Sequence, residues 1–247
     1  VSAIEHKCVL GAARELAEHH GYTVNLIPVT GEGIVDLDAF RAMIDSDVLI
    51  ASVMLVNNEV GSIQPIRELA DAAHAAGVLI HCDAAQAPLA VDPQELAEMV
   101  DLASLSAHKM HGPPGIGALY VRRALQSAVR PLLHGGGQQN DLRSGTVPLP
   151  LAVGFGVAAD LCQGEAAREE RETLRLRRDR FVAGLRALDW AMQLNGPAGR
   201  DRHPGNANIR FEGVDAHDLL HVLQPGVAAS TGSACSSAIP EPSHVLR

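Results

Sequence analysis

The 247-residue chain contains only two lysines, Lys7 and Lys109. Lys109 follows the strand-like stretch Leu102 to Ser106 and precedes the stiff run Gly112-Pro113-Pro114-Gly115-Ile116-Gly117. A lysine in such a turn is ordinarily a loop charge. It can act as a Schiff-base lysine when a sheltered pocket lowers its pKa and a rigid loop aims it. The run is no Walker loop, because no Gly-Lys-Ser/Thr closes it. Asp83 directly follows the apolar stretch Val78 to Cys82. Alone it reads as a helix cap. Paired with Lys109 it suits a pyridoxal phosphate ring, whose pyridine nitrogen needs a carboxylate to keep the electron sink protonated. From the ends of two strands the two residues reach opposite sides of one ring.

Cys235 lies in Thr231-Gly232-Ser233-Ala234-Cys235-Ser236-Ser237, with Pro240 and Pro242 beyond. It has no apolar neighbours, so it is the candidate for an exposed reactive thiol. Cys8, Cys82 and Cys162 fall in helix or strand patterns and read as core. His134-Gly135-Gly136-Gly137 and Arg143-Ser144-Gly145-Thr146 form a polar, Gly-rich connection. It is either a flexible surface loop or a set of backbone amides, with the Thr146 hydroxyl, that binds phosphate. His81, Asp83, His108 and His111 match no zinc spacing, so no metal is expected.

Alternating elements would position these residues. Cys8, Val9, Ala12, Ala13 and Leu16 recur at helical spacing up to Gly21, and Tyr22 to Val29 reads as a strand. Asp36 caps a helix whose inner face is Phe40, Met43 and Ile44. Val48 to Val56 is an apolar run expected of a strand covered on both faces. Helix 66–76 leads through Gly77 into strand Val78 to Cys82, and Asp92-Pro93-Gln94-Glu95 opens another helix. Strands follow at Leu102 to Ser106 and Gly117 to Val121. Such alternation implies an α/β fold with a mostly parallel central sheet flanked by helices. Ligands bind beyond the carboxyl ends of such strands. There stand Asn57-Asn58-Glu59, Asp83 to Gln86, and Ser106 to Lys109.

Residues 151–163 read as a buried helix, and from Glu165 a charged helix carries Leu174, Phe181, Leu185 and Leu188 inward. The arginines from Arg168 to Arg180, interleaved with Glu, read as a solvated face. The expected boundary is near residue 165, giving a large domain over 1–165 and a smaller α+β C-terminal domain over 166–247 with the cysteine loop at 230–242.

Composition narrows the function classes. Hydrophobic residues make up 47% and charged residues 20%, the balance of a globule rather than a disordered chain. A net charge of -9 and seven aromatics argue against a nucleic-acid partner. No apolar run approaches the about 18 residues that span a bilayer, so no membrane association is expected. Four scattered cysteines suit a reducing cytosol, and a cytoplasmic location is expected. A nucleotide-binding domain is disfavoured, since no Gly-x-Gly-x-x-Gly follows the first strand.

In order along the chain, Ile4-Glu5-His6-Lys7, Val56-Asn57-Asn58-Glu59-Val60-Gly61, His81-Cys82-Asp83-Ala84-Ala85-Gln86, Ser106-Ala107-His108-Lys109, Gly112 to Val121, His134 to Gly137, Arg143 to Thr146 and Gly232 to Pro242 resemble the cysteine desulfurases. These are pyridoxal 5'-phosphate enzymes of the class V aminotransferase family. The resemblance implies the fold type I large domain, with Lys109 carrying the cofactor and shuttling the α proton. His6 would stack on the ring and Asp83 would pair with its nitrogen. Asn58 and Gln86 would bond the phenolate side. Ser106 and His108 would hold the phosphate, Thr146 would reach the phosphate of a partner subunit, and Cys235 would take the substrate sulfur as a persulfide.

The resemblance further implies a homodimer acting on L-cysteine to give L-alanine, with sulfur passed to an acceptor or scaffold protein for iron-sulfur clusters or tRNA thiolation. Ala107 and Ala85 stand where the family commonly has Gly and Thr. The family's upstream Gly-Ala-Thr phosphate turn and its downstream carboxylate-binding arginine have no counterpart in these 247 residues. The chain therefore reads as an internal fragment, inactive alone. Selenocysteine lyase shares the framework, and a noncatalytic sulfur-trafficking scaffold would be expected to lack Lys109 or Cys235.

Overall fold

The structure, a computed structural model, describes residues 1–93, 96–231 and 243–247. Four strands, β1 (Ile50–Met54), β2 (Leu79–Asp83), β3 (Leu102–Ser106) and β4 (Gly117–Val121), form one sheet in that order. The first three run parallel and β4 returns antiparallel to β3. Met54 is opposite Asp83, and Asp83 is opposite Ser104, so three strands end together at one edge. Four of the five residues of β1 are buried, as its unbroken apolar sequence requires.

The helices follow from local signals. In α1 (Lys7–His19) the first turn is capped by His6. The Asp36 carboxylate accepts from the amides of Asp38 and Ala39 at 3.0 Å, which starts α2 (Leu37–Met43). Helix α3 (Ile66–Ala75) buries Ile66, Leu69, Ala70 and Ala73 against the sheet, and Gly77 supplies the left-handed residue beyond it. Phe40, Val53, Leu69, Val78, Ile80, Cys82 and Val100 form the fully enclosed centre of the core. A short α4 (Leu96–Met99) precedes β3; Gln94 and Glu95 of the expected helix start lie outside the described residues.

The C-terminal half carries α5 (Leu149–Leu161), α6 (Gly164–Arg186), the antiparallel pair β5 (Met192–Leu194) and β6 (Ile209–Phe211), and α7 (Ala216–Leu223). This half docks on the turn after β1. Arg202, 3% exposed, donates to the carbonyls of Pro197 and Asn195 and to Asn206 Oδ1. Asn206 and Asn208 in turn donate to the Glu59 carbonyl at 2.8 and 3.2 Å. Burial, with the nearby Arg178 charge, pushes the Arg202 pKa down to about 10.

Several expectations are corrected. Tyr22 to Val29 forms no strand; it makes only the single bridges Ser2–Ile27 and Val29–Val35, because the segment Val1 to Ala3 beside it pairs only around Ile27. Helix α5 is not buried as expected. Only Ala158 is enclosed, while Leu149, Val153, Val157 and Leu161 are exposed because no described element covers that face. In α6 the inward stripe runs through Ala167, Arg178 and Val182, leaving Phe181, and Leu188 just beyond the helix, exposed. The arginine face is correspondingly not wholly solvated. Arg178 is buried and donates to the His203 carbonyl, and Arg171 donates to the carbonyls of Pro88 and Cys162.

The dock onto the β1 turn has a steric test at Gly61. This residue has φ +74°, and a Cβ there would lie 2.6 Å from Asn206 Cγ. Gly61→Ala should lower stability by more than about 1 kcal/mol in urea denaturation. An unchanged midpoint would show that the docked geometry is wrong.

Candidate active site

Parallel strands that end together leave backbone groups with no further partner, and side chains take them up at this edge. The N-terminal segment runs beside β1, with the Ser2 amide donating to the Ser52 carbonyl at 3.0 Å. Glu5 then turns inward and is fully buried. Its Oε1 accepts from Ser2 Oγ at 2.7 Å and from the Met54 amide, the last of β1, at 2.5 Å. Asn57 is the matching clamp. Its Nδ2 donates to the Ile4 carbonyl at 3.0 Å, and its Oδ1 accepts from the amides of Glu59 and Val60. Together Glu5 and Asn57 fix the half-buried His6 and Asn58, each one residue away.

The His6 ring is oriented locally. The Cys8 amide donates to His6 Nδ1 at 3.2 Å, which leaves the ring proton of neutral His6 on Nε2. Cys8 Sγ lies 3.0 Å from the same nitrogen. Cys8 is exposed, which corrects its reading as a core residue: the first turn of α1 turns position 8 toward this edge rather than the sheet. Cys82 and Cys162 are buried, and burial raises both thiols, that of Cys82 well above the ordinary range.

At the end of β2, Asp83 is 7% exposed and its Oδ1 accepts from the Ala85 amide at 3.0 Å. Gln86 lies in the turn that follows. One residue pair before the strand ends, His81 bridges the sheet. Its Nδ1 meets Ser52 Oγ at 2.8 Å and its Nε2 meets Ser104 Oγ at 2.9 Å. Burial lowers its pKa, so the ring stays neutral between two hydroxyls.

Strand β3 leads into a tight 3-10 turn over Ala107–Met110. Ser106 Oγ and His108 Nδ1 are 2.8 Å apart, so both polar groups face one another at its start. The turn closes with His111 in the left-handed conformation and the Gly112 amide on the Ala107 carbonyl at 2.9 Å. A Cβ at Gly112 would lie 3.1 Å from Ala158, so α5 backs the turn that carries Lys109. Lys109 itself is exposed; the sheltering pocket expected around it is not built by the described residues.

His6, Asn58, Asp83, Gln86, Ser106, His108 and Lys109 therefore share one edge of the sheet. Thr146 is exposed on a separate loop whose described hydrogen bonds are internal, including Gly145 N to Gln138 Oε1 at 2.9 Å. Cys235 and its loop lie outside the described residues. Among the described residues, no His/Cys/Asp/Glu cluster could hold a metal ion, and no helix is long and apolar enough to cross a membrane.

Sequence reasoning placed Asn57 at this edge but did not foresee that Glu5 and Asn57 clamp it, or that His81 bridges Ser52 and Ser104. The signal at Glu5 was faint: a lone acid between Ile4 and the start of a helix. Burial raises its pKa to about 7, with the Asp83 charge adding to the rise and the Ser2 and Met54 hydrogen bonds opposing it.

The sheet edge thus gathers a buried carboxylate, a lysine on a tight turn and an imidazole. All of residues 1–247 match the family model of the class-V aminotransferases, and the chain belongs to that family. It is 41% identical over 245 residues to the cysteine desulfurase IscS of Rickettsia massiliae (strain Mtu5), and 42% over 247 residues to that of Rickettsia typhi (strain ATCC VR-144 / Wilmington). Each alignment covers 98% of this chain and 58% of the relative, so the chain spans less than two thirds of these relatives' length.

Among solved structures it is similar to a NifS-like protein, with a TM-score of 0.86 and 33% identity over 99% of this chain and 63% of that one. It is likewise similar to DndA from Streptomyces lividans, with a TM-score of 0.82 and 35% identity over 99% and 68%. The expected mostly parallel sheet with flanking helices is the fold of these neighbours.

The raised Glu5 pKa has a testable sign. The folded state holds a proton on Glu5 up to about pH 7, whereas the unfolded state releases it near pH 4.5. Glu5 therefore makes stability fall between those values, by about 3 kcal/mol. His203, whose pKa burial lowers to about 4, acts oppositely from pH 6.5 downward, so the difference between proteins isolates Glu5. In urea denaturation of the full-length protein from pH 4.5 to 7.5, Glu5→Gln should remove this falling component. Parallel profiles for the two proteins would contradict it.

Proposed function

We propose that the protein containing this chain is a cysteine desulfurase that uses pyridoxal 5'-phosphate. The observation that carries the reading is the β2–β3 register, in which buried Asp83 stands opposite Ser104, two residues before the Ser106-Ala107-His108-Lys109 turn. The chemistry of the donor set fits the cofactor: an enclosed carboxylate for a protonated ring nitrogen, an amine on a stiff turn, and a Ser106–His108 pair for a phosphate. When bound, the cofactor supplies the electron sink for charge developing at the substrate's α carbon.

The chain's own residues do the rest. Lys109 would carry the cofactor and move the α proton. His6, with its Nε2–H tautomer, would lie on the ring face, and Asn58 and Gln86 would bond the ring's oxygen side. Asp83 would hold the nitrogen-side proton. Thr146 would complete the phosphate site of a partner subunit in a homodimer, consistent with its outward position here. The division near residue 165 belongs to this reading, with the segment 166–247 bringing the thiol to the large domain's edge.

The Cys235 thiolate would attack the sulfur of L-cysteine. The substrate's Cβ–S bond breaks, an S–S bond forms, and Cβ takes a proton in the sulfur's place. L-Alanine and a Cys235 persulfide together hold the atoms of cysteine and thiol. The persulfide would pass to an acceptor or scaffold protein. Support for this substrate comes from the IscS likeness and from the similar SspA, solved in complex with cysteine, at 34% identity and a TM-score of 0.80 over 99% of this chain and 67% of that one.

Borohydride reduction of the full-length protein loaded with pyridoxal 5'-phosphate should label Lys109 in peptide mapping. A label on Lys7, or no label, would contradict the reading. Cys235→Ala should abolish persulfide and alanine formation from L-cysteine while leaving the cofactor absorbance intact. Undiminished turnover would show that another thiol acts.

A further inference from the structure

Ser243 and His244, which follow the cysteine loop, contact the residues that flank His6 and Asn58. Ser243 Oγ donates to Glu59 Oε1 at 2.8 Å. His244 Nε2 donates to the Glu5 carbonyl at 3.0 Å. The Val245 amide closes back on Ser243 Oγ at 3.2 Å, so the clasp is held as a single short turn over His244–Leu246. Glu5 immediately precedes His6, and Glu59 immediately follows Asn58. Contacts from the C-terminal end thus fall on the two positions that flank these pocket residues on separate elements.

The rest of the surroundings makes those positions stiff. Glu5 is enclosed and tied to Ser2 and Met54, and Glu59 is held from above by Asn206 and Asn208. Neither Glu5 Oε2 nor Glu59 Oε2 has a hydrogen-bond partner among the described residues, although both atoms are buried. An under-satisfied carboxylate beside the pocket makes each remaining contact matter more, because loss of one leaves a buried polar group with fewer partners.

We propose that His244 and Ser243 are positioning residues of the cofactor pocket, acting through Glu5 on His6 and through Glu59 on Asn58. This rests on the reading that His6 and Asn58 face pyridoxal 5'-phosphate. The clasp makes cofactor affinity depend on a distant segment, Ser243 lying 184 residues from Glu59 and His244 lying 239 from Glu5.

The test uses the full-length protein and its His244→Ala, His244→Gln and Ser243→Ala variants. Cofactor binding is titrated by absorbance, and the visible circular dichroism of the bound cofactor reports the asymmetry imposed on its ring. His244→Ala should weaken binding about fivefold and reduce the dichroic band, the loss expected of one hydrogen bond. His244→Gln keeps an N–H donor and should recover most of both. Ser243→Ala should weaken binding about twofold to fivefold. Affinity within twofold of the unsubstituted protein for His244→Ala, or equal losses in His244→Ala and His244→Gln, would overturn the clasp while leaving the functional reading intact. Failure of the unsubstituted protein to bind the cofactor would overturn both.

Discussion

The constraint that shapes this molecule is the common ending of three parallel strands. At the edge where β1, β2 and β3 stop, backbone amides lose their neighbours, and side chains must replace them. Glu5 takes the amide of Met54 on the open flank of β1, and in the turns beyond the strands Asn57 takes those of Glu59 and Val60, and Asp83 that of Ala85. The residues that cap the sheet are therefore the scaffold of the candidate site. Structural and chemical roles coincide because both arise from unfinished hydrogen bonding at one edge.

Glu5 illustrates the energetic side of this arrangement. A carboxyl taken wholly out of water next to the Asp83 charge is held closer to its neutral form. His81, clamped between the Ser52 and Ser104 hydroxyls, stays neutral for the same reason of burial.

Much of this was readable before the fold was known. Strands β3 and β4 match their expected limits of Leu102 to Ser106 and Gly117 to Val121, and α2 starts at its Asp36 cap. Those signals are local: apolar patterning, a capping carboxylate, a glycine stop. What escaped depends on partners distant in sequence. Buried Glu5 is held by the Met54 amide, 49 residues away, so its neighbours in sequence gave little sign of it. Tyr22 to Val29 has strand composition but meets the segment Val1 to Ala3 only around Ile27. Cys8 sits in a helical pattern, yet the pattern does not say which face meets solvent at the first turn. The apolar face of α5 is exposed although its composition calls for burial, since periodicity cannot name what covers a helix.

The family assignment and the edge geometry meet in one measurable distance, from Asp83 to the nitrogen of a bound pyridoxal ring. A crystal structure of the full-length protein with pyridoxal 5'-phosphate measures it directly. The account predicts that nitrogen about 2.6–3.0 Å from an Asp83 carboxylate oxygen, with continuous density joining the cofactor to Lys109 Nζ. A cofactor joined to another residue, or a ring nitrogen with no contact to Asp83, would contradict it.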